Sequence, residues 1–132
     1  RTTELNLFLI NKDFYLVDLP GYGFAQASRE GREKIQRLIF WYIMHPRYEQ
    51  KKIVLIMDAY TGPTESDIEM LHILEEQGKD IVIVANKVDK IKQSEYKKKL
   101  QKIEDISGIN KVIPYSSEKK IGVNILLNEI LM

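Results

Sequence analysis

Cysteine is missing from all 132 positions. That excludes disulfides and thiolate metal sites, and it fits a reducing compartment. An excess of either charge is missing too: 20 Lys and Arg against 19 Asp and Glu leave a net +1. No global field therefore draws the molecule toward nucleic acid or a membrane surface. The charge is uneven only locally, with lysines at 51–52, 97–99 and 119–120. No apolar run approaches the ~18 residues that a membrane span needs. Signal-peptide patterning, internal repeats, low-complexity tracts and domain linkers are also lacking. What is present, 44% hydrophobic and 30% charged residues, is the make-up of one ordinary globular domain with a single core. The chain begins at Arg1 rather than Met and runs almost directly into a strand-like segment. The expectation is that the natural N-terminus is absent from this sequence.

Five segments read as strands: Leu5–Asn11, Phe14–Asp18, Ile53–Asp58, Ile81–Asn86 and Lys111–Ser116. Lys12-Asp13 joins the first two as a hairpin turn. Beyond them strands alternate with helical patterns, the mark of a parallel sheet built from βα units. Arg29–His45 carries Ile35, Leu38, Ile39 and Tyr42 at helical spacing, and Pro46 stops it. Thr64–Gln77 opens with Thr64 and Asp67 at capping-box positions and closes at Gly78. Ser94–Ser107 has Ser94 as N-cap and Gly108 beyond its end, and Val123–Met132 is a short apolar-sided helix.

The tetrapeptide Asn86-Lys87-Val88-Asp89 follows Ile81-Val82-Ile83-Val84-Ala85, a run that reads as a strand buried on both faces. Ligands of open α/β sheets bind outside the carboxyl ends of the strands. The chemistry of the tetrapeptide suits guanine. An ionised carboxylate is an acceptor-only fork that takes both N1–H and N2–H₂ of that base, whereas adenine presents an acceptor at N1. Each hydrogen bond to a charged group is worth ~1.5–3 kcal/mol, and a pocket so built rejects the wrong base because its polar groups are left unpaired. Polar groups end most of the other strands as well: Asp18, Asp58 and Ser116. One Asp at a strand end is an ordinary turn residue, but several on one sheet edge point to a ligand.

A second motif, Asp18-Leu19-Pro20-Gly21-Tyr22-Gly23, follows Phe14–Val17. An Asp before a Gly turn can hold a hydrated Mg²⁺ while the turn offers a backbone N–H to a phosphate. Tyr115-Ser116-Ser117-Glu118-Lys119 follows the last strand and resembles the Ser-Ala-Lys loop whose backbone N–H groups meet the guanine O6. In this order the three motifs resemble those of Ras-like, translation-factor-related GTPases. The hexapeptide Asp18–Gly23 is similar to that of the EngB (YsxC/YihA) family, bacterial GTPases linked to large ribosomal subunit assembly and normal division. Leu5–Asn11, Phe24-Ala25, Trp41 and Gly62–Asp67 resemble the same family, and the likeness runs through essentially the whole chain.

The resemblance implies an α/β fold: a three-layer P-loop GTPase-like sheet, mostly parallel with one antiparallel edge hairpin, missing its first, central strand. Residues 1–132 then form a partial EngB-type G domain. By position, Asp89 resembles the guanine-edge acceptor, Lys87 the lysine whose alkyl stem lies along the base, and Asn86 the residue that braces the loop; Val88 is carried as part of it. Asp18 resembles the Mg²⁺-linked aspartate, acting through water, and Leu19, Pro20 and Gly21 the phosphate-facing turn. Tyr115, Ser116 and Ser117 resemble the third guanine-side loop. Arg1-Thr2-Thr3-Glu4 resembles the remnant of the first switch loop, with Thr2 as the Mg²⁺ ligand and Thr3 as the competing candidate. The ligands implied are GTP and GDP with Mg²⁺, and the partner a ribosomal large-subunit precursor. The protein implied is a cytoplasmic monomer without a membrane partner.

One element of the pattern is absent. No Gly-x-x-x-x-Gly-Lys-Ser/Thr occurs; Gly78-Lys79 is followed by Asp80 and lacks an upstream Gly at the right spacing. In this fold that loop follows the first strand, which normally lies between Phe14–Asp18 and Ile53–Asp58. Losing three or four buried side chains with that strand removes roughly 5–12 kcal/mol. That rivals a whole domain's stability of ~5–15 kcal/mol. The expectation is a piece of a longer protein, with strands 14–18 and 53–58 not paired to each other. Family members often have Thr where Asn86 stands, and an Arg-His turn where this chain has Ala59-Tyr60-Thr61. Tyr22 stands where Ras-like enzymes place a water-orienting Gln. No catalytic residue is named, and the chain alone is expected to be inactive.

Simpler readings are preferred elsewhere. Phe40, Trp41 and Tyr42 are mostly core at helical spacing. His45 and His72 lack matched acid–base partners, and Lys97-Lys98-Lys99 is a solvated face rather than an rRNA contact. Three functions compete: a Mg²⁺-dependent GTPase switch, a truncated or degenerate non-catalytic binding module, and a flavodoxin-like or receiver-like domain. The paired guanine-side loops argue against the last.

Overall fold

The structure, a computed structural model, describes residues 4–21 and 28–131. Two compact units divide the chain, residues 1–49 and 50–132. Among the described residues the strands form two sheets, one of two strands and one of three.

The first unit holds β1 (Asn6–Ile10), β2 (Phe14–Asp18) and α1 (Arg29–Met44). The strands pair antiparallel, with Asn6 opposite Asp18 and Ile10 opposite Phe14. The turn differs from the expected Lys12-Asp13. Asn11 and Lys12 both take positive φ, 52° and 58°, and the Asp13 N–H donates to the Ile10 carbonyl at 2.9 Å. This is the primed geometry that matches strand twist, here made without glycine. Ser28 caps α1 by accepting from the Gly31 N–H at 3.0 Å. Ile35, Ile39 and Ile43 form its buried stripe. Trp41 corrects the core expectation: it is 50% exposed. Its ring lies against those of His45 and Tyr48, at centroid distances of 5.1 and 5.7 Å.

The second unit is built on β3 (Ile53–Asp58), β4 (Ile81–Asn86) and β5 (Lys111–Pro114), with α2 (Glu65–Glu76), α3 (Gln93–Ser107) and α4 (Val123–Leu131). All three strands run parallel in the order β3-β4-β5. Residues Ile81 to Ala85 are all buried, as a central strand covered on both faces requires. Leu55, Met57, Leu71, Leu74, Leu100, Ile103 and Ile113 complete the core. Thr64 and Asp67 form the full capping box of α2, at 2.8 and 3.1 Å. The N-cap of α3 is Lys92 rather than Ser94, and makes no side-chain cap bond. β5 ends two residues before Ser116, whose backbone instead bridges Ile121.

β2 and β3 lie in different sheets and are not paired, so the parallel sheet ends at β3.

Candidate guanine-binding site

At the carboxyl edge of the three-stranded sheet, register alone places Asp58 beside Asn86. The Ala59 N–H donates to the Asn86 carbonyl at 2.8 Å, carrying the ladder one residue past β3. The Tyr115 N–H donates to the Ala85 carbonyl at 2.9 Å, carrying it past β5. Three chain exits are thereby fixed side by side before any side chain is considered.

The tetrapeptide leaves β4 through Lys87, which sits in the left-handed region at φ 68°, ψ 31°. Such a backbone is uncommon for a residue with a Cβ and costs of order 1–3 kcal/mol; it persists where surrounding contacts determine it. Those contacts are visible. Val88 is buried, and its N–H donates to the Tyr115 carbonyl at 3.2 Å. A short 3₁₀ turn, Val88–Lys90, follows at once, with the Lys90 N–H donating to the Lys87 carbonyl at 3.1 Å. Val88 is therefore the anchor that locks the loop to the chain after β5. Asp89, half-buried on the same turn, makes no hydrogen bond or ion pair with any described residue. Asn86 keeps its Oδ1 buried without a partner among the described residues.

The Lys87 ammonium pairs with the Asp58 carboxylate at 2.9 Å. The other oxygen of Asp58 accepts from the Tyr60 and Thr61 N–H groups at 2.9 and 3.0 Å. Burial opposes ionisation of Asp58. The Thr61 N–H, the Lys87 ammonium and the Tyr60 N–H together outweigh it and hold the carboxyl below its ordinary value. The sequence marks Asp58 only as a polar strand end. Its partner lies 29 positions away (87 − 58), so no local spacing signals the pair.

After β5, the Ser116 N–H donates to the Ile121 carbonyl at 3.1 Å, while the Ser116 Oγ accepts from the Lys119 N–H at 3.0 Å. Tyr115 and Ser116 thus spend their N–H groups inside the fold. Ser117, exposed, retains a free N–H among the described residues. Gly122 closes the loop at φ 78°, where a Cβ would stand 2.3 Å from the Pro114 carbonyl oxygen. Only glycine fits there.

The remaining candidates lie in the first unit or outside the described residues. Asp18 is exposed at the end of β2, followed by half-buried Leu19, buried Pro20 and exposed Gly21. Glu4 is exposed ahead of β1. Arg1, Thr2, Thr3, Tyr22, Gly23, Phe24 and Ala25 lie outside the described residues. Lys99 is not merely solvated, because its ammonium donates to the Tyr60 carbonyl and sits 5.0 Å from that ring's centroid.

The parallel sheet, the hairpin and the loops on the sheet's carboxyl edge define a GTPase-type α/β protein. Its relatives share that class. The GTP-binding protein EngB of Clostridium botulinum (strain Alaska E43 / Type E3), described as probable, is 41% identical over all of this chain and 68% of its own length. That of Acholeplasma laidlawii is 39% identical over 98% of this chain and 68% of its own. This chain belongs to the EngB family of GTP-binding proteins. It spans about two thirds of the length of these relatives. The family described as Ferrous iron transport protein B also matches, over residues 2–130. A crystal structure of an EngB protein superposes with a TM-score of 0.84 at 21% identity, covering 99% of this chain and 83% of that one. Era, in complex with MgGDPNP and part of 16S ribosomal RNA, superposes at 0.70 and 22% identity over 96% of this chain and 42% of its own. No described helix is long and apolar enough to cross a membrane.

Proposed function

We propose that this chain carries the guanine-reading half of a GTP-hydrolysing switch protein, as part of one EngB-type G domain. The observation that supports this most is the Asn86–Asp89 loop. A left-handed Lys87 and a buried Val88 hold it, and Asp89 has no partner among the described residues. In this reading Asp89 accepts from guanine N1–H and N2–H₂. Ser117 donates its N–H to O6, while Tyr115 and Ser116 build the loop without donating. The Lys87 stem lies along the base, and the unpartnered Asn86 Oδ1 accepts from a group that ligand binding brings in.

By resemblance, the phosphate-facing turn is Asp18-Leu19-Pro20-Gly21, the Arg1–Glu4 segment is a switch remnant, and Thr2, with Thr3 competing for the role, is the other Mg²⁺ ligand. Among the described residues no group of three or more His, Asp or Glu could hold a metal. A lone carboxylate such as Asp18 with a threonine hydroxyl is the kind of donor set Mg²⁺ takes, since it keeps several waters and binds through one or two carboxylates plus nucleotide phosphates. Bound there, the ion would neutralise phosphate charge, with Asp18 holding it through water. The chain's own task is to orient the base and offer the Gly21 N–H. In the intact protein, GTP would order these loops and hydrolysis release them, in the cytoplasm, on the assembling large ribosomal subunit, with consequences for division.

Because the 132 residues lack a Gly-x-x-x-x-Gly-Lys-Ser/Thr loop, hydrolysis by this chain alone is expected to be negligible. Titration with fluorescent GDP tests the point. Sub-micromolar affinity, or turnover of GTP, contradicts it.

A further inference from the structure

Asp58 has no role in the recognition scheme above, yet its carboxylate is the most connected group on that sheet edge. One oxygen takes the Tyr60 and Thr61 N–H groups, which closes the chain after β3 into a turn. The Asp58 carbonyl takes the Gly62 N–H at 2.9 Å, a further bond that closes the same turn. That second oxygen meets the Lys87 ammonium at 2.9 Å. The lysine is the residue with φ 68°, and two hydrogen bonds of the loop, Val88 to Tyr115 and Lys90 to Lys87, depend on how its backbone turns.

We propose that Asp58 is a positioning residue for this loop: its carboxylate tethers the Lys87 ammonium and holds the left-handed turn ready before any nucleotide arrives. The inference rests on the guanine reading only for its consequence, the presentation of Asp89 to the base. The tether itself is a property of the free chain. A half-exposed ion pair adds little to global stability. Its effect is local, since it fixes where a long side chain and the strained residue that carries it are held.

Asp58→Asn separates the two tasks of the carboxylate. The amide oxygen still accepts from Tyr60 and Thr61, while the charge that holds Lys87 is gone. The test is amide hydrogen exchange on the full chain, for wild type, Asp58→Asn, Lys87→Gln and the double variant, with GMP and AMP titrations followed by NMR. Expected is exchange at Val88 and Lys90 about fivefold faster in Asp58→Asn. Exchange at Leu71 and Ile103 should be unchanged, and the loop effect absent when Lys87 is already Gln. GMP affinity should fall in parallel, and Asp58→Glu should restore part of both. Uniform acceleration across the core, or the same loop effect in the Lys87→Gln background, overturns the proposal. If the exchange pattern holds while wild type takes GMP and AMP equally, the tether stands and the guanine reading is what fails.

Discussion

At Asp58, charge and geometry make opposite demands on one carboxyl. Burial favours its neutral form, and three donors favour its ionised form and win. With the folded value below the ordinary 3.8, the stabilisation is present above that pH and is lost as pH falls through the folded value. Wild type should therefore exceed Asp58→Asn in global stability at neutral pH only slightly, by about 0.2 kcal/mol, the low end for a partly exposed pair. The two denaturation curves should converge in acid. A gap that persists below the carboxyl range argues that Asp58 does not titrate against these donors. Gly122 makes a second prediction at this scale. With φ at 78° and the Pro114 carbonyl 2.3 Å from an added Cβ, Gly122→Ala should cost about 2 kcal/mol or more by urea unfolding. A neutral result would mean that the loop after β5 rearranges freely.

Elements follow from sequence wherever the signal is continuous. β4 is legible because a short, mostly β-branched apolar run between Asp80 and Asn86 reads as a strand covered on both faces. The start of α2 is legible because Thr64 and Asp67 stand three apart before an apolar stripe. Thr64→Ala should cost about 1 kcal/mol, read as a fall in the unfolding midpoint. An unchanged midpoint would show that α2 is held by packing alone. Other elements were hidden for physical reasons. The β1–β2 turn uses left-handed Asn11 and Lys12 without a glycine to announce it. Ser94 looks like a cap, but α3 starts earlier from Lys92, which leaves that serine inside the first turn. Trp41 follows the apolar run of α1 yet faces outward, because Ile35, Ile39 and Ile43 already fill the buried stripe. The site divides the same way. The contiguous Asn86–Asp89 loop was legible, whereas the Asp58–Lys87 tether was not, since it joins two strand ends through the fold. Nor does sequence distinguish the N–H groups of Tyr115 and Ser116, used internally, from that of Ser117.

For the molecule as a whole, the proposed reading makes base recognition and phosphate binding separable parts. The second unit carries its own core, a parallel sheet and both loops proposed to face guanine. Base selectivity should therefore survive in this chain even where tight nucleotide binding does not. The two hydrogen bonds assigned to Asp89 correspond to a preference for GMP over AMP of about tenfold or more, since each is worth over 1 kcal/mol. Comparison of GMP and AMP by NMR titration, in wild type and Asp89→Ala, tests this most directly. The account predicts shifts at residues 86–89 and 117 with GMP, much weaker ones with AMP, and loss of the preference in Asp89→Ala. Equal responses to the two nucleotides, or a preference that survives removal of the Asp89 carboxylate, would contradict it.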